Sequence, residues 1–146
     1  MFDLVIKNGR IVDGSGLPAF LGDIGINDGK ICKIGKIDEA GTEEIDASGR
    51  IVAPGFIDPH THFDAQLLWD GACKPALEHG VTTIVPGNCS LSLAPLKAEH
   101  RKKLVGMFNQ IEEMPLKAFE EGVVWDWETF PEFVERLKRD LTVNVA

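Results

Sequence analysis

Basic residues are in the minority, with 15 Lys and Arg against 23 Asp and Glu, and the net charge is −8 over 146 residues. A nucleic-acid binder needs a cationic stripe to neutralise phosphates, so nucleic acid is not an expected partner. A short basic run such as Arg101-Lys102-Lys103 lies on a predicted helix that also carries Glu99, Glu112 and Glu113, and it reads as a solvated face. Long apolar runs are missing as well. Nothing approaches the roughly 20 residues that span a bilayer. The opening Met1–Val12 carries Asp3, Lys7 and Arg10 around the short run Leu4-Val5-Ile6, which is not a signal-peptide pattern. No membrane partner is expected. Cysteine is scarce: the three thiols, Cys32, Cys73 and Cys89, are odd in number and irregularly spaced, so a disulfide framework is not expected. A reducing, cytoplasmic setting is the default. There is also no phosphate-cradling glycine loop, no nucleophile elbow and no Ser-His-Asp ordering.

What is present is a foldable chain, 44% hydrophobic, enough for a sizeable core. From Phe2 to about Val52 it reads as β structure. Strand-like stretches Leu4–Ile6, Ile24–Ile26, Lys30–Ile34 and Ile51-Val52 are separated by the turn dipeptides Asn8-Gly9, Asp13-Gly14 and Asp28-Gly29. Asp28-Gly29 between two apolar runs predicts a hairpin. The register is open, because Cys32 and Lys33 fall on opposite faces and either fits inward. The expected product is a small antiparallel sheet, with Cys32 half-buried.

From Phe56 the rhythm becomes strand then helix. Phe56-Ile57 is a short strand, and Pro75–His79 a short helix stopped by Gly80. Val81–Val85 is a β-branched buried strand. Leu104, Met107, Phe108 and Ile111 share one helix face, as do Phe130, Phe133, Val134 and Leu137. Thr129-Phe130-Pro131-Glu132 matches a capping box. Trp125 and Trp127 flank Asp126 just before that helix and either line a pocket or dock the helix, with docking the expected role. Leu141–Ala146 begins another strand. The alternation predicts an α/β fold of parallel β/α units. The residues after Ile51 fall far short of the roughly 250 of a complete barrel, and an open three-stranded parallel sheet leaves apolar faces uncovered. The expectation is therefore an incomplete barrel in a truncated chain.

The chemistry concentrates in Phe56-Ile57-Asp58-Pro59-His60-Thr61-His62. Two histidines at i and i+2 on an extended segment point to the same side. At the C-terminal end of a barrel strand they would face the barrel mouth, where such folds place active sites. Neutral imidazoles are good zinc ligands. His-x-His alone does not separate metal ligation from two surface histidines. Asp64 continues the same-side series, either as a partner for a histidine N–H or facing water. Pro86-Gly87-Asn88-Cys89-Ser90 follows the second strand, whose C-terminal end shares a side with the first in parallel architecture. A Cys89 thiolate there suits zinc, yet a buried packing thiol is the commoner fate of a free cysteine. Gly87-Asn88 offers a turn that brings backbone or the Asn amide close to a ligand, and equally fits a turn alone. Cys73 and His100 look structural or exposed, and His79 suits a helix C-terminus.

At these residues the chain resembles the amidohydrolase superfamily, and within it the N-acyl-D-amino-acid deacylases. The resemblance rests on Asp3–Gly14, on Ile51–His62, and on His62-Phe63-Asp64-Ala65-Gln66, His79–Thr83, Gly87-Asn88-Cys89 and Trp125–Phe130. It covers essentially the whole chain. It implies that residues 1–52 are part of a small β-sandwich domain and that 53–146 begin a TIM-like (β/α) barrel. It implies zinc, as one or two ions, held in part by His60, His62 and Cys89, so that Cys89 becomes a ligand. Asp64 and Asn88 would support that site or the substrate pocket. The implied reaction is hydrolysis of the amide of small N-acyl-D-amino acids to a carboxylate and a D-amino acid. The remaining histidine ligands and the general-base Asp would come from later strands, beyond Ala146. Phe63 stands where Tyr is frequent in that family, and Ser90 where Gly is frequent. Two other readings remain: a cyclic-amide hydrolase of the dihydroorotase or hydantoinase type, and a non-catalytic metal-binding fragment. Neither the preferred side chain nor the oligomeric state is encoded in these residues.

Overall fold

Alternating burial along Phe2–Ile11, with Val5 and Ile11 in the core, makes this run a strand, β1. β2 (Phe20–Asn27) pairs antiparallel with β1, and β3 (Lys30–Gly35) antiparallel with β2. The computed structural model describes residues 1–146, which form two compact units, Met1–Pro54 and Gly55–Ala146. In the first unit Asp28 (φ 50°) and Gly29 (φ 69°) make the two-residue hairpin turn that the dipeptide predicts.

Three expectations for this unit need correcting. The sheet is mixed, because β4 (Gly41–Asp46) and β5 (Ile51–Val52) both pair parallel with β1. β4 escaped sequence reading because Thr42–Asp46 is exposed throughout and has no apolar alternation to betray it. Asn8-Gly9 is not a turn but a bulge inside β1, with Asn8 at φ 60° and a register shift between Ile6 and Gly9. The bulge is stitched down from both sides. The Asn8 N–H donates to Asp23 Oδ1 (2.8 Å) and its amide to Asp46 Oδ1 (3.1 Å). The N–H groups of Asn8 and Ile37 hold the Asp23 carboxyl below its usual pKa. Lys30–Ile34 is exposed on both faces, Cys32 included, so Cys32 is not half-buried within this unit.

The second unit is a parallel sheet in the order β6 (Phe56–Asp58), β7 (Val81–Ile84), β8 (Asn144–Val145). A 3₁₀ turn (Gln66–Leu68) and α1 (Lys74–Glu78) link the first two strands. α1 ends where Gly80 adopts φ 84°. α2 (Arg101–Ile111), α3 (Leu116–Gly122) and α4 (Phe130–Leu137) link β7 to β8. The fold is α/β, and its three parallel strands do not close into a barrel. No helix is long and apolar enough to cross a membrane.

The core of this unit is aromatic. Phe108, Phe119, Trp127 and Phe133 are buried together with Ile84, Leu93 and Cys73, each aromatic removing a large apolar area from water. Trp127 packs on Phe133 at 5.1 Å between ring centroids and donates its indole N–H to the Leu93 carbonyl at 2.9 Å. It docks α4, as expected from its place before that helix. The capping box is present: the Glu132 carboxylate accepts from the Thr129 N–H and Oγ1, both at 2.9 Å. α2 turns differently from the sequence reading. Leu104, Val105 and Phe108 pack inward, while Met107 and Ile111 are 37% and 59% exposed. α3 has no signature in the sequence, because a seven-residue helix burying one phenylalanine has too little periodicity to read.

Candidate metal centre

β6 ends at Asp58, whose Oδ1 accepts the His60 N–H at 3.1 Å. This side-chain turn replaces the missing ladder partner and swings the chain off the sheet edge. His60 and His62 then stand close together, ring centroids 5.5 Å apart. β7 ends beside β6, with the Val85 N–H donating to the Asp58 carbonyl at 3.0 Å. Parallel pairing brings both C-terminal ends to one side, so the Pro86–Ser90 turn faces the histidines. Asn88 fastens the two segments: its amide donates to the Pro59 carbonyl at 2.7 Å. The turn uses two left-handed residues, Gly87 (φ 78°) and Ser90 (φ 75°). Ser90 thus occupies a conformation that favours glycine.

The outcome is one cluster. A ring nitrogen from each of His60 and His62 and the Cys89 Sγ lie within 4.8 Å of one another. Both histidines are exposed and Cys89 is half-buried, so a cation can reach them from solvent. Two imidazoles and a thiol form a borderline-soft donor set of the kind that suits zinc. Tetrahedral bonds of about 2.0–2.3 Å separate donors by roughly 3.3–3.8 Å, so small side-chain rotations close the site.

Two carboxylates lie near His62. Asp64 is 2% exposed, and its Oδ2 has no hydrogen-bond partner. Burial pushes its pKa up to about 6, against the pull of the backbone N–H groups of Asp64 and Gly87 and of nearby His62, with Glu112 adding to the rise. The carboxylate that meets His62 is not Asp64 but Glu112, whose Oε2 contacts the His62 Nδ1. Glu112 follows the last residue of α2, and its side chain is 11% exposed, so it is not part of a solvated helix face. Its only sequence signal is an acidic residue at the end of an amphipathic helix, a position too ordinary to single out.

The remaining candidates fall elsewhere. Cys73 is buried, and its thiol is pushed up to about 11 by burial and then by nearby Asp70, so it packs rather than reacts. His79 Nδ1 pairs with the Pro75 carbonyl at 2.6 Å, and His100 is exposed beside Glu99.

D-aminoacylase of Alcaligenes xylosoxydans xylosoxydans is 37% identical over 147 residues, covering 99% of this chain. This chain spans only 28% of the length of that relative. A solved D-aminoacylase with a binuclear metal centre superposes with a TM-score of 0.79 at 34% identity, over 100% of this chain and 29% of its own. The N-acyl-D-glutamate deacylase of Bordetella bronchiseptica, solved with zinc and a phosphonate mimic of the tetrahedral intermediate, gives 0.72 at 33% identity, over 99% of this chain and 28% of its own. The family model described as "Amidohydrolase family" matches residues 43–139, about two thirds of the sequence, and takes in His60, His62 and Cys89. By that match, and by its likeness to solved deacylases over nearly its whole length, the chain belongs to the amidohydrolase family.

Proposed function

We propose that the whole protein is a zinc-dependent hydrolase that cleaves the amide of N-acyl-D-amino acids to a carboxylate and a D-amino acid. The observation that carries this reading is the convergence of His60, His62 and Cys89 at the ends of adjacent parallel strands. The relatives named for this activity, or for zinc, cover nearly all of the chain and so support the reading. Zinc bound at the site would act as a Lewis acid and bring the pKa of water to about 7.

The chain's own residues prepare that site. His60 and His62 each offer a neutral nitrogen, and Cys89 must surrender its proton when a cation arrives. Asp58 shapes the turn that presents His60, and Asn88 ties the Cys89 turn to the residue before His60. Gly87 lies close to Asp64, and the exposed histidines give the site a solvent-facing side from which a small acyl-amino acid can enter.

The test uses protein made from its complete reading frame. Stoichiometric zinc and release of D-amino acids from N-acetyl-D-amino acids are expected, with the L-isomers spared. Cys89→Ala should lose zinc and turnover together. Full zinc content and turnover in that variant would remove Cys89 from the site. Turnover confined to hydantoins or dihydroorotate would replace the deacylase reading with a cyclic-amide one.

A further inference from the structure

We propose that Glu112 is a positioning residue that holds His62, through its Nδ1, in the orientation that leaves Nε2 free to bind metal. The proposal rests on the metal reading of His60, His62 and Cys89. Its starting point is a carboxylate in a costly place. The Glu112 side chain is 11% exposed, and its Oε1 is buried without a hydrogen-bond partner. An ionised carboxylate in that state loses hydration that must be compensated. Its place in the helix does not compensate it, because Glu112 caps the C-terminal end of α2, the negative end of the helix dipole. Nearby Asp64 adds a second acidic group rather than a counter-charge. The next residue, Glu113, takes up φ 54°, a left-handed conformation that glutamate adopts at a cost. Nothing in helix energetics accounts for a glutamate here.

What does meet Glu112 is the His62 ring. Oε2 pairs with Nδ1, across fifty residues of sequence. With Nδ1–H donating to the carboxylate, the lone pair of the neutral ring lies on Nε2, and ring rotation is restrained. His62 is 45% exposed on its own side chain and needs such a restraint more than a buried ring does. The same contact makes the imidazole a stronger donor to a cation. Glu112 therefore links the end of α2 to the metal site without touching the ion.

Removing an outer carboxylate of this kind costs about 10- to 100-fold in metal affinity. The experiment compares parental, E112A and E112Q protein made from the complete reading frame. Zinc affinity is read by chelator competition, the metal-free melting temperature by circular dichroism, and the site geometry by the visible spectrum of the cobalt-loaded protein. E112A is expected to bind zinc 10- to 100-fold more weakly, with a shifted cobalt spectrum and an undiminished metal-free melting temperature. E112Q, whose amide oxygen still accepts from Nδ1–H, should recover part of the affinity. Zinc affinity within twofold of parental in E112A would overturn the proposal. So would equal losses in both variants with a lowered metal-free melting temperature, the signature of a helix-end support. H62A separates the two readings. If H62A keeps zinc, His62 is no ligand and the assignment of Glu112 falls with it. If H62A loses zinc and E112A keeps it, only the assignment of Glu112 fails.

Discussion

Asn88 offers a direct measure of how far the protein prepares its metal site before metal arrives. Its amide donates at 2.7 Å to the Pro59 carbonyl, so one hydrogen bond joins the residue before Cys89 to the residue before His60. Asn88→Ala removes the donor and leaves an exposed carbonyl that water can satisfy, so the loss to the fold is small. An intramolecular hydrogen bond of this kind contributes about 0.5–1.5 kcal/mol net. Without it the two turns move independently, and the ordering free energy shifts to the binding step. Zinc affinity should then fall by about two- to twelvefold, at 1.36 kcal/mol per decade. Asn88→Asp should do no better, because a carboxylate cannot donate to a carbonyl. Chelator competition resolves a change of this size, and circular dichroism of the metal-free protein checks that the fold persists. Unchanged affinity in both variants would mean that the turns are rigid without the clamp. A loss beyond a hundredfold would exceed what one exposed hydrogen bond supplies, and would place Asn88 in contact with the ion itself.

Three further outcomes follow from packing and charge. A Cβ on Gly55 would lie 2.1 Å from Thr82 Oγ1 and 2.6 Å from its Cβ, so G55A should destabilise by about 1–3 kcal/mol, and T82G in the same protein should recover part of that in a denaturation cycle. Trp127→Phe strands the Leu93 carbonyl in the core and should cost about 1–3 kcal/mol by urea unfolding, whereas Trp127→Ala should cost about 3–5 kcal/mol. The N–H groups of Glu128 and Thr129 hold the Glu132 carboxyl below its usual pKa. A lowered folded pKa stabilises above the unfolded value and loses that gain as pH falls through the folded one. The melting temperature of the parent should therefore exceed that of E132Q at neutral pH, and the gap should close in acid.

The legible parts of this molecule are those in which neighbouring residues decide their own geometry. Asp28-Gly29 needs two positive φ values and has the residues that tolerate them, so its hairpin is readable. Thr129 and Glu132 cap α4 over three residues. The His60-x-His62 pair is readable as a pair because an extended segment sends alternate side chains the same way. Even here local rules leave a choice. Asn8 tolerates φ 60° in a turn or in a bulge, and only the arrival of Asp23 and Asp46 decides for the bulge. On α2, Met107 and Phe108 differ by one position, about 100° of helix rotation, and which points inward depends on Phe119 arriving from α3.

Glu112 lies at the far end of that scale. Nothing within four residues of it distinguishes a solvated carboxylate from one that grips a histidine. The distinction arises only when β6 and β7 pair, when the chain beyond β7 returns through α2, and when the end of that helix comes to rest on His62. A carboxylate chosen for helix stability would sit in the first turn, where the dipole favours it. One found at the last turn, half-buried and beside another acid, is held there by the imidazole it meets. The ligands of this site can therefore be read from two short motifs, while the residue that orients one of them belongs to a helix whose place is set by aromatic packing some distance away.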